Sequence, residues 1–281
     1  MTHSALKTTS KKAVSSFNKD DWASAYCNVE EELTNFSLTT KEGEIPKQLC
    51  GTFYRNGPGR LERGGQWVHH PFDGDGMIAA IKFKNGEVTL SNRFIRTEGW
   101  EADEKAGKFV YRGVFGTQKP GGLLANAFDL RLKNIANTNV IKFGGNLLAL
   151  WEAAGPHEIN PITLETNGLT TLNGVLKENE PLSAHPRFDP GHHGKPTMVI
   201  FGVKTGPKST IRTMEFTSTG ESPGELINER EDVFKGFAFL HDFAITPNWA
   251  IYLQNAISFN PLPFLIGQKG AAQCLSSKKN K

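Results

Sequence analysis

Apolar residues in this chain recur in short runs, alternating or continuous, and each run closes on turn-forming residues. Met77 to Phe83, Val88 to Phe94, Val140 to Leu150, Thr197 to Val203, Ile211 to Phe216 and Ala250 to Phe259 read as strands. Lys84-Asn85-Gly86, Gly144-Gly145-Asn146 and Thr219-Gly220 read as the turns between them. Asn85-Gly86 and Gly144-Gly145 are dipeptides of tight hairpins, whose strands run antiparallel. Asp21 to Leu33 reads as a short helix, with Asp20 or Asp21 as its N-cap. No sustained helical periodicity follows between Glu42 and Leu275. The pattern predicts an all-β chain, and the regular spacing of hairpins favours a propeller over a sandwich.

Two kinds of segment interrupt the strands. Gly51 to Gly65 and Gly74-Asp75-Gly76 are rich in glycine, but no helix follows to form a phosphate cradle. They read as tight turns, with Asp73 and Asp75 capping backbone N–H groups. Calcium-loop spacing is absent as well. The second kind is Asn260 to Gly267, where Pro261, Leu262, Pro263, Phe264, Leu265 and Ile266 make an apolar loop. An apolar loop calls for a cover, either a neighbouring blade or the outer layer of a membrane, with Lys269 placed for a headgroup.

Composition narrows the classes. The 281 residues are 38% hydrophobic and 22% charged, and 29 Gly and 15 Pro suit a turn-rich β protein. A net charge of +3 is too small and dispersed for nucleic acid. Cys27, Cys50 and Cys274 form no CxxC pair, which fits a reducing compartment. Met1 to Asp20 lacks the apolar core of a secretory signal, and no run approaches the ~18 apolar residues that span a bilayer. The expected location is cytoplasmic, with peripheral membrane association. The expected organisation is a flexible terminus over 1–20, a β domain over 21–275 and a basic disordered tail over 276–281. The 19 Phe against 4 Tyr would suit a tunnel for a rigid polyene, or ordinary core packing.

The candidate chemistry lies in two histidines, His185 and His241, 56 residues apart, each opening a strand-like segment. A propeller blade holds about 40–50 residues plus loops, so the spacing places one histidine on each of two successive blades. Imidazole suits iron, copper and zinc, so the pair reads either as metal ligands or as ordinary hydrogen-bonded histidines. His69, His70, His157, His192, His193 and His3 read as surface or turn residues. No Ser-His-Asp elbow or pair of catalytic carboxylates competes.

Gly51-Thr52-Phe53-Tyr54-Arg55-Asn56-Gly57-Pro58, Phe72-Asp73-Gly74-Asp75-Gly76-Met77-Ile78, Ala136-Asn137-Thr138-Asn139-Val140, Leu148-Ala149-Leu150-Trp151-Glu152, Ser183-Ala184-His185-Pro186 and His241-Asp242-Phe243-Ala244-Ile245-Thr246 follow one another in this order. Together they resemble the signature segments of the carotenoid cleavage oxygenases, from about Trp22 to Leu275. The resemblance implies a seven-bladed β-propeller, of which this chain holds about the first four blades, with a short N-terminal helix. It implies a non-haem ferrous iron, Fe(2+), held by four histidines, with His185 and His241 as the first two. Glu152 would be the carboxylate that orients His241, fixing its tautomer. His241 is the last histidine of the chain, so the resemblance implies the first part of an enzyme roughly twice as long.

The same resemblance implies a dioxygenase that splits a carbon–carbon double bond of a carotenoid or apocarotenoid, at the 15,15′ bond, to give retinal. Its partners would be that substrate, dioxygen and a membrane surface. Two alternatives stand beside it: an inactive propeller remnant that binds lipid or apocarotenoid, and a stilbene-cleaving oxygenase of the same fold.

Overall fold

The computed structural model describes residues 18–191, 196–218 and 224–277. The turn expected at Thr219-Gly220, His3, His192, His193 and Lys278 to Lys281 lie outside them. Three four-stranded antiparallel sheets follow one another along the chain. The first contains β1 (Phe36–Leu38), β2 (Gly51–Arg60), β5 (Asp75–Lys84) and β6 (Glu87–Phe94), in the order β1-β6-β5-β2; β3 (Glu62–Arg63) and β4 (Gln66–Trp67) form a separate small hairpin. The second runs β10-β9-β8-β7, from β7 (Asn139–Phe143), β8 (Asn146–Leu150), β9 (His157–Ile159) and β10 (Thr166–Leu169). The third runs β11-β12-β13-β14, from β11 (Arg187–Asp189), β12 (Thr197–Lys204), β13 (Lys208–Thr217) and β14 (Leu226–Lys235). Two strand pairs complete the description, β15 (Ala244–Thr246) with β16 (Trp249–Ile251) and β17 (Ile257–Phe259) with β18 (Leu275–Ser277).

The sheets pack face to face, and the alternation along their middle strands distributes the core. On β8, Leu147 and Ala149 join Ile78, Ala80 and Ile159 between the first two sheets. Leu148 and Leu150 point the other way, onto Met198, Ile200, Met214 and Phe216 of the third sheet. β12 repeats the device, turning Val199 and Phe201 toward Ala238, Leu240 and Phe243. A strand buried on both faces reads as an unbroken apolar run, which is why β8 and β12 stand out in the sequence. The two hairpin dipeptides turn as expected, with Asn85 and Gly86 at φ 55° and 83° and Gly144 and Gly145 at 57° and 92°.

Several elements depart from the expected pattern. The first helix, α1, is Lys19–Ala25 rather than 21–33, and Asn18 accepts the Asp20 N–H at its start. The chain beyond it stays extended because Asn28 accepts from Leu61 N and Asn92 accepts from Leu33 N. Gly51 to Arg60 is a ten-residue strand, not a series of turns. It lies at one side of its sheet, where Pro58 costs no central ladder bond, and a Cβ on Gly59 would stand 2.8 Å from the Met77 Cβ.

A second helix, α2 (Glu98–Ala106), sits within the stretch expected to lack helices. Thr97 Oγ1 accepts the Trp100 N–H at its start, and Gly107, at φ 62°, ends it. A short α3 (Gly122–Asn126) follows, and Leu262–Leu265 of the expected apolar loop forms α4. Val140 to Leu150 and Ala250 to Phe259 are each two strands rather than one. Asp73 caps as expected, accepting from Phe115 N and Thr117 N, whereas Asp75 is ion-paired to Arg63 and Lys133. Ser276 and Ser277 belong to β18 rather than to a disordered tail.

Candidate metal centre

His185 and His241 stand just ahead of β11 and β15, the leading strands of the third sheet and of the strand pair after it. The Ser183 Oγ accepts the His185 N–H at 3.2 Å, and Asn139 on β7 donates to the Ala184 carbonyl at 2.8 Å. These bonds fix the backbone at Ala184 and His185. The fold brings the two imidazoles together: their Nε2 atoms lie 3.0 Å apart, with ring centroids 4.5 Å apart and planes crossing at 68°.

Glu152 follows β8, next to the buried Trp151, and its Oε2 is 2.5 Å from His241 Nδ1. A carboxylate there accepts a hydrogen bond from Nδ1–H, which keeps the proton on that nitrogen and leaves the His241 Nε2 with its lone pair. Burial pushes the Glu152 carboxyl above the usual carboxylate range, while the neighbouring His241 pulls it back. Burial also holds the His185 imidazole below its ordinary value, and His241 adds in the same direction. A neutral imidazole is the form that binds a metal.

The spacing can be tested against a metal. Two imidazole nitrogens bound at right angles to one divalent ion, with bonds of about 2.1 Å, stand about 3.0 Å apart. His185 and His241 meet that condition. No third His, Cys, Asp or Glu joins them in a metal-holding group among the described residues. His157 is not the turn residue expected: it lies in β9, 3% exposed, and burial drives its pKa down to about 4. His69 meets Gln273 at 2.9 Å, and His70 accepts the Phe72 N–H and stacks on Phe115.

A cavity of about 280 Å³ opens beside Glu152. Trp151, Phe115, Phe201, Phe237, Phe239 and Phe259 line it, with Ser183 and Thr205 among its few polar groups. A count of phenylalanines in the sequence could not say which of them meet here.

The family model described as "Retinal pigment epithelial membrane protein" matches residues 25–281. The chain belongs to this family, that of the carotenoid oxygenases. Within it, the chain is 47% identical over 277 residues to apocarotenoid-15,15′-oxygenase of Synechocystis sp., covering 97% of this chain and 56% of the relative. It is 32% identical over 233 residues to resveratrol cleavage oxygenase 1 of Aspergillus fumigatus, covering 80% of this chain and 42% of the relative. The solved structure of cobalt-substituted Synechocystis apocarotenoid oxygenase superposes with a TM-score of 0.88 at 47% identity, over 93% of this chain and 54% of that one. The chain thus spans about half the length of the relatives it matches. Its three sheets and following strand pair have the propeller fold of that carotenoid oxygenase.

The apolar segment of the sequence is divided by the structure. Phe264 is buried, 8% exposed, with the Arg112 guanidinium 4.1 Å from its ring centre, so it anchors α4 rather than facing outward. Pro261, Leu262 and Ile266 are exposed, while Pro263 and Leu265 are half-buried. The Phe128 N–H donates to the Leu265 carbonyl at 2.7 Å, which sets α4 beside α3 and its exposed Leu123 and Leu124.

Proposed function

We propose that this chain supplies the first two iron ligands, His185 and His241, of a non-haem iron(II) dioxygenase that cleaves an apocarotenoid at its 15,15′ double bond to give retinal. The observation that carries the reading is the 3.0 Å convergence of two Nε2 atoms, one of them on an imidazole whose other nitrogen meets a carboxylate. The 47% identity to a Synechocystis apocarotenoid-15,15′-oxygenase supports the substrate class. Ferrous iron, when bound, supplies a redox-active centre at which dioxygen and one double bond react to give two carbonyl products. The chain's own residues do the rest. Glu152 keeps the proton on His241 Nδ1, so that Nε2 points its lone pair at the metal. Trp151 and the phenylalanines of the adjoining cavity offer flat apolar walls that exclude water and align a rigid polyene.

The wall of that cavity is mainly aromatic and aliphatic, with Glu152, Ser183 and Thr205 as its polar side chains, which supports a polyene as the substrate. A lipid-soluble substrate also gives the exposed apolar group on α3 and α4 a use. Leu124 is 94% exposed, Phe128 77%, and Leu262 and Ile266 lie beside them, a surface suited to dipping into one leaflet. No described helix is long and apolar enough to cross a membrane. Three free thiols suit a cytoplasmic face.

A second reading rests on the ligand count. With only His185 and His241 converging at the site among the described residues, the chain by itself would bind an apocarotenoid without turning it over. Anaerobic loading with ferrous iron, then addition of dioxygen, an apocarotenal and competing resveratrol, tests both. Retinal formation, lost in His185→Ala and His241→Ala, supports the oxygenase. Quenching of tryptophan emission by the apocarotenal with no product supports the second reading. Preferential cleavage of resveratrol overturns the substrate assignment.

A further inference from the structure

Three hydrogen bonds join the segment after His185 to the segment that carries His241. Arg187 sends Nη2 to both carboxylate oxygens of Asp242, each at 2.7 Å, and Nε to the Phe243 carbonyl at 2.9 Å. Asp242 also accepts the Phe243 N–H at 2.7 Å, which fixes its carboxylate relative to its own backbone. The two side chains are 39% and 45% exposed, so the ion pair adds little to folding stability. What it fixes is geometry. A planar guanidinium that meets a side-chain carboxylate and the next residue's carbonyl together restrains both sliding and twisting of the two segments.

The other holders of the two imidazoles act differently. Asn139, on β7, holds the backbone at Ala184, and Glu152, after β8, holds His241 Nδ1. Each ties one histidine to the second sheet. The Arg187 contact ties the two histidine segments to each other, across the boundary between the third sheet and β15.

We propose that Arg187 and Asp242 are positioning residues of the metal centre: their contact sets the separation and mutual angle of His185 and His241. The inference rests on reading that pair as metal ligands. Arg187→Lys keeps the charge but loses the planar fork, and Asp242→Asn keeps the shape but loses the charge. The test uses the 281-residue chain and two readouts. In a cobalt(II) titration followed by visible absorption, each variant binds about tenfold more weakly and with shifted bands, in line with other partners of metal ligands. The double variant binds no more weakly than the poorer single one, because the two residues act as one unit. Its melting midpoint stays with that of the parent.

The second readout needs no metal. In a crystal structure of metal-free Arg187→Lys, the two Nε2 atoms separate beyond hydrogen-bonding distance. Parent-like cobalt affinity together with parent-like separation overturns the proposal, as does a fall in melting midpoint with unchanged cobalt bands. If the parent binds no cobalt while the separation still opens in the variant, the metal reading fails and the positioning role stands. If the parent binds cobalt and the separation does not change, the reverse holds.

Discussion

Two groups of ionisable side chains in this molecule are built in opposite ways. Next to the first sheet, Lys133 Nζ lies 2.5 Å from Asp75 and 2.6 Å from Asp103, and Arg63 meets Asp75 at 3.1 Å and also pairs with Glu104. Arg63, Asp75, Asp103 and Lys133 are each 6% exposed or less. Every charge in that group touches an opposite charge, which is the condition for keeping it out of water. At the other group the His241 side chain is 53% exposed, and two nitrogens converge on each other with no third ligand among the described residues. The first arrangement is closed and locks α2 to the first sheet. The second is open, with the His241 ring set between His185 and Glu152. Burial with complete pairing marks architecture here, and the exposed convergence of two imidazoles is the feature on which the proposed metal role rests.

The contrast breaks most visibly at Lys133. Lys133→Ala leaves the Asp75 and Asp103 carboxylates facing each other inside the protein, and should cost about 3–5 kcal/mol of stability in urea unfolding. A loss below about 1 kcal/mol would mean that the group is not the closed lock described.

Next in size is a pH effect at His157. Its imidazole stays neutral in the folded chain down to about pH 4, whereas the unfolded chain protonates it near 6.5. The unfolded state therefore binds more protons between those values. Stability falls as the pH drops through that window, by about 3 kcal/mol in all. Replacing the imidazole, as in His157→Phe, should flatten that part of the stability–pH curve relative to the parent. An unchanged slope would place the titration elsewhere.

The open site should respond in the reverse sense, with small effects on folding and large ones on metal. Glu152→Gln should lower metal affinity about 10–100-fold, measured by equilibrium dialysis, since the amide no longer holds the Nδ1 proton as an anion does. The smallest folding effect belongs to His185→Ala, which should alter unfolding by no more than about 0.5 kcal/mol while removing metal binding. A large destabilisation there would make the histidine a packing residue instead.

How much of this was legible follows from where each residue sits. β8 and β12, buried on both faces, announce themselves as apolar runs, and the Asn85-Gly86 and Gly144-Gly145 turns specify their hairpins locally. β14 does not: Asn228, Glu229, Arg230 and Glu231 are exposed, and the strand exists because its backbone pairs with β13. α2 carries no apolar stripe and is marked only by Thr97 and Gly107 at its ends. β2 is hidden by its glycines, of which Gly59 packs close to Met77 on β5 and Phe94 on β6, while Gly51 and Gly57 face open space.

The site divides in the same way. The histidine pair follows the spacing of one blade repeat, and the assignment of Glu152 to His241 came through family resemblance. The two residues are 89 positions apart, and nothing local in the sequence links them. The contact between Arg187 and Asp242 offered no signal either, since an arginine and an aspartate on separate segments look like ordinary surface charge until the fold sets them 2.7 Å apart.

The claim that His185 and His241 form one metal-binding unit is tested most directly by anaerobic equilibrium dialysis of ferrous iron against the 281-residue chain, carried to saturation. The account predicts about one iron per chain, absent from both His185→Ala and His241→Ala. Iron bound equally by the parent and either variant, or by none of them, would contradict it.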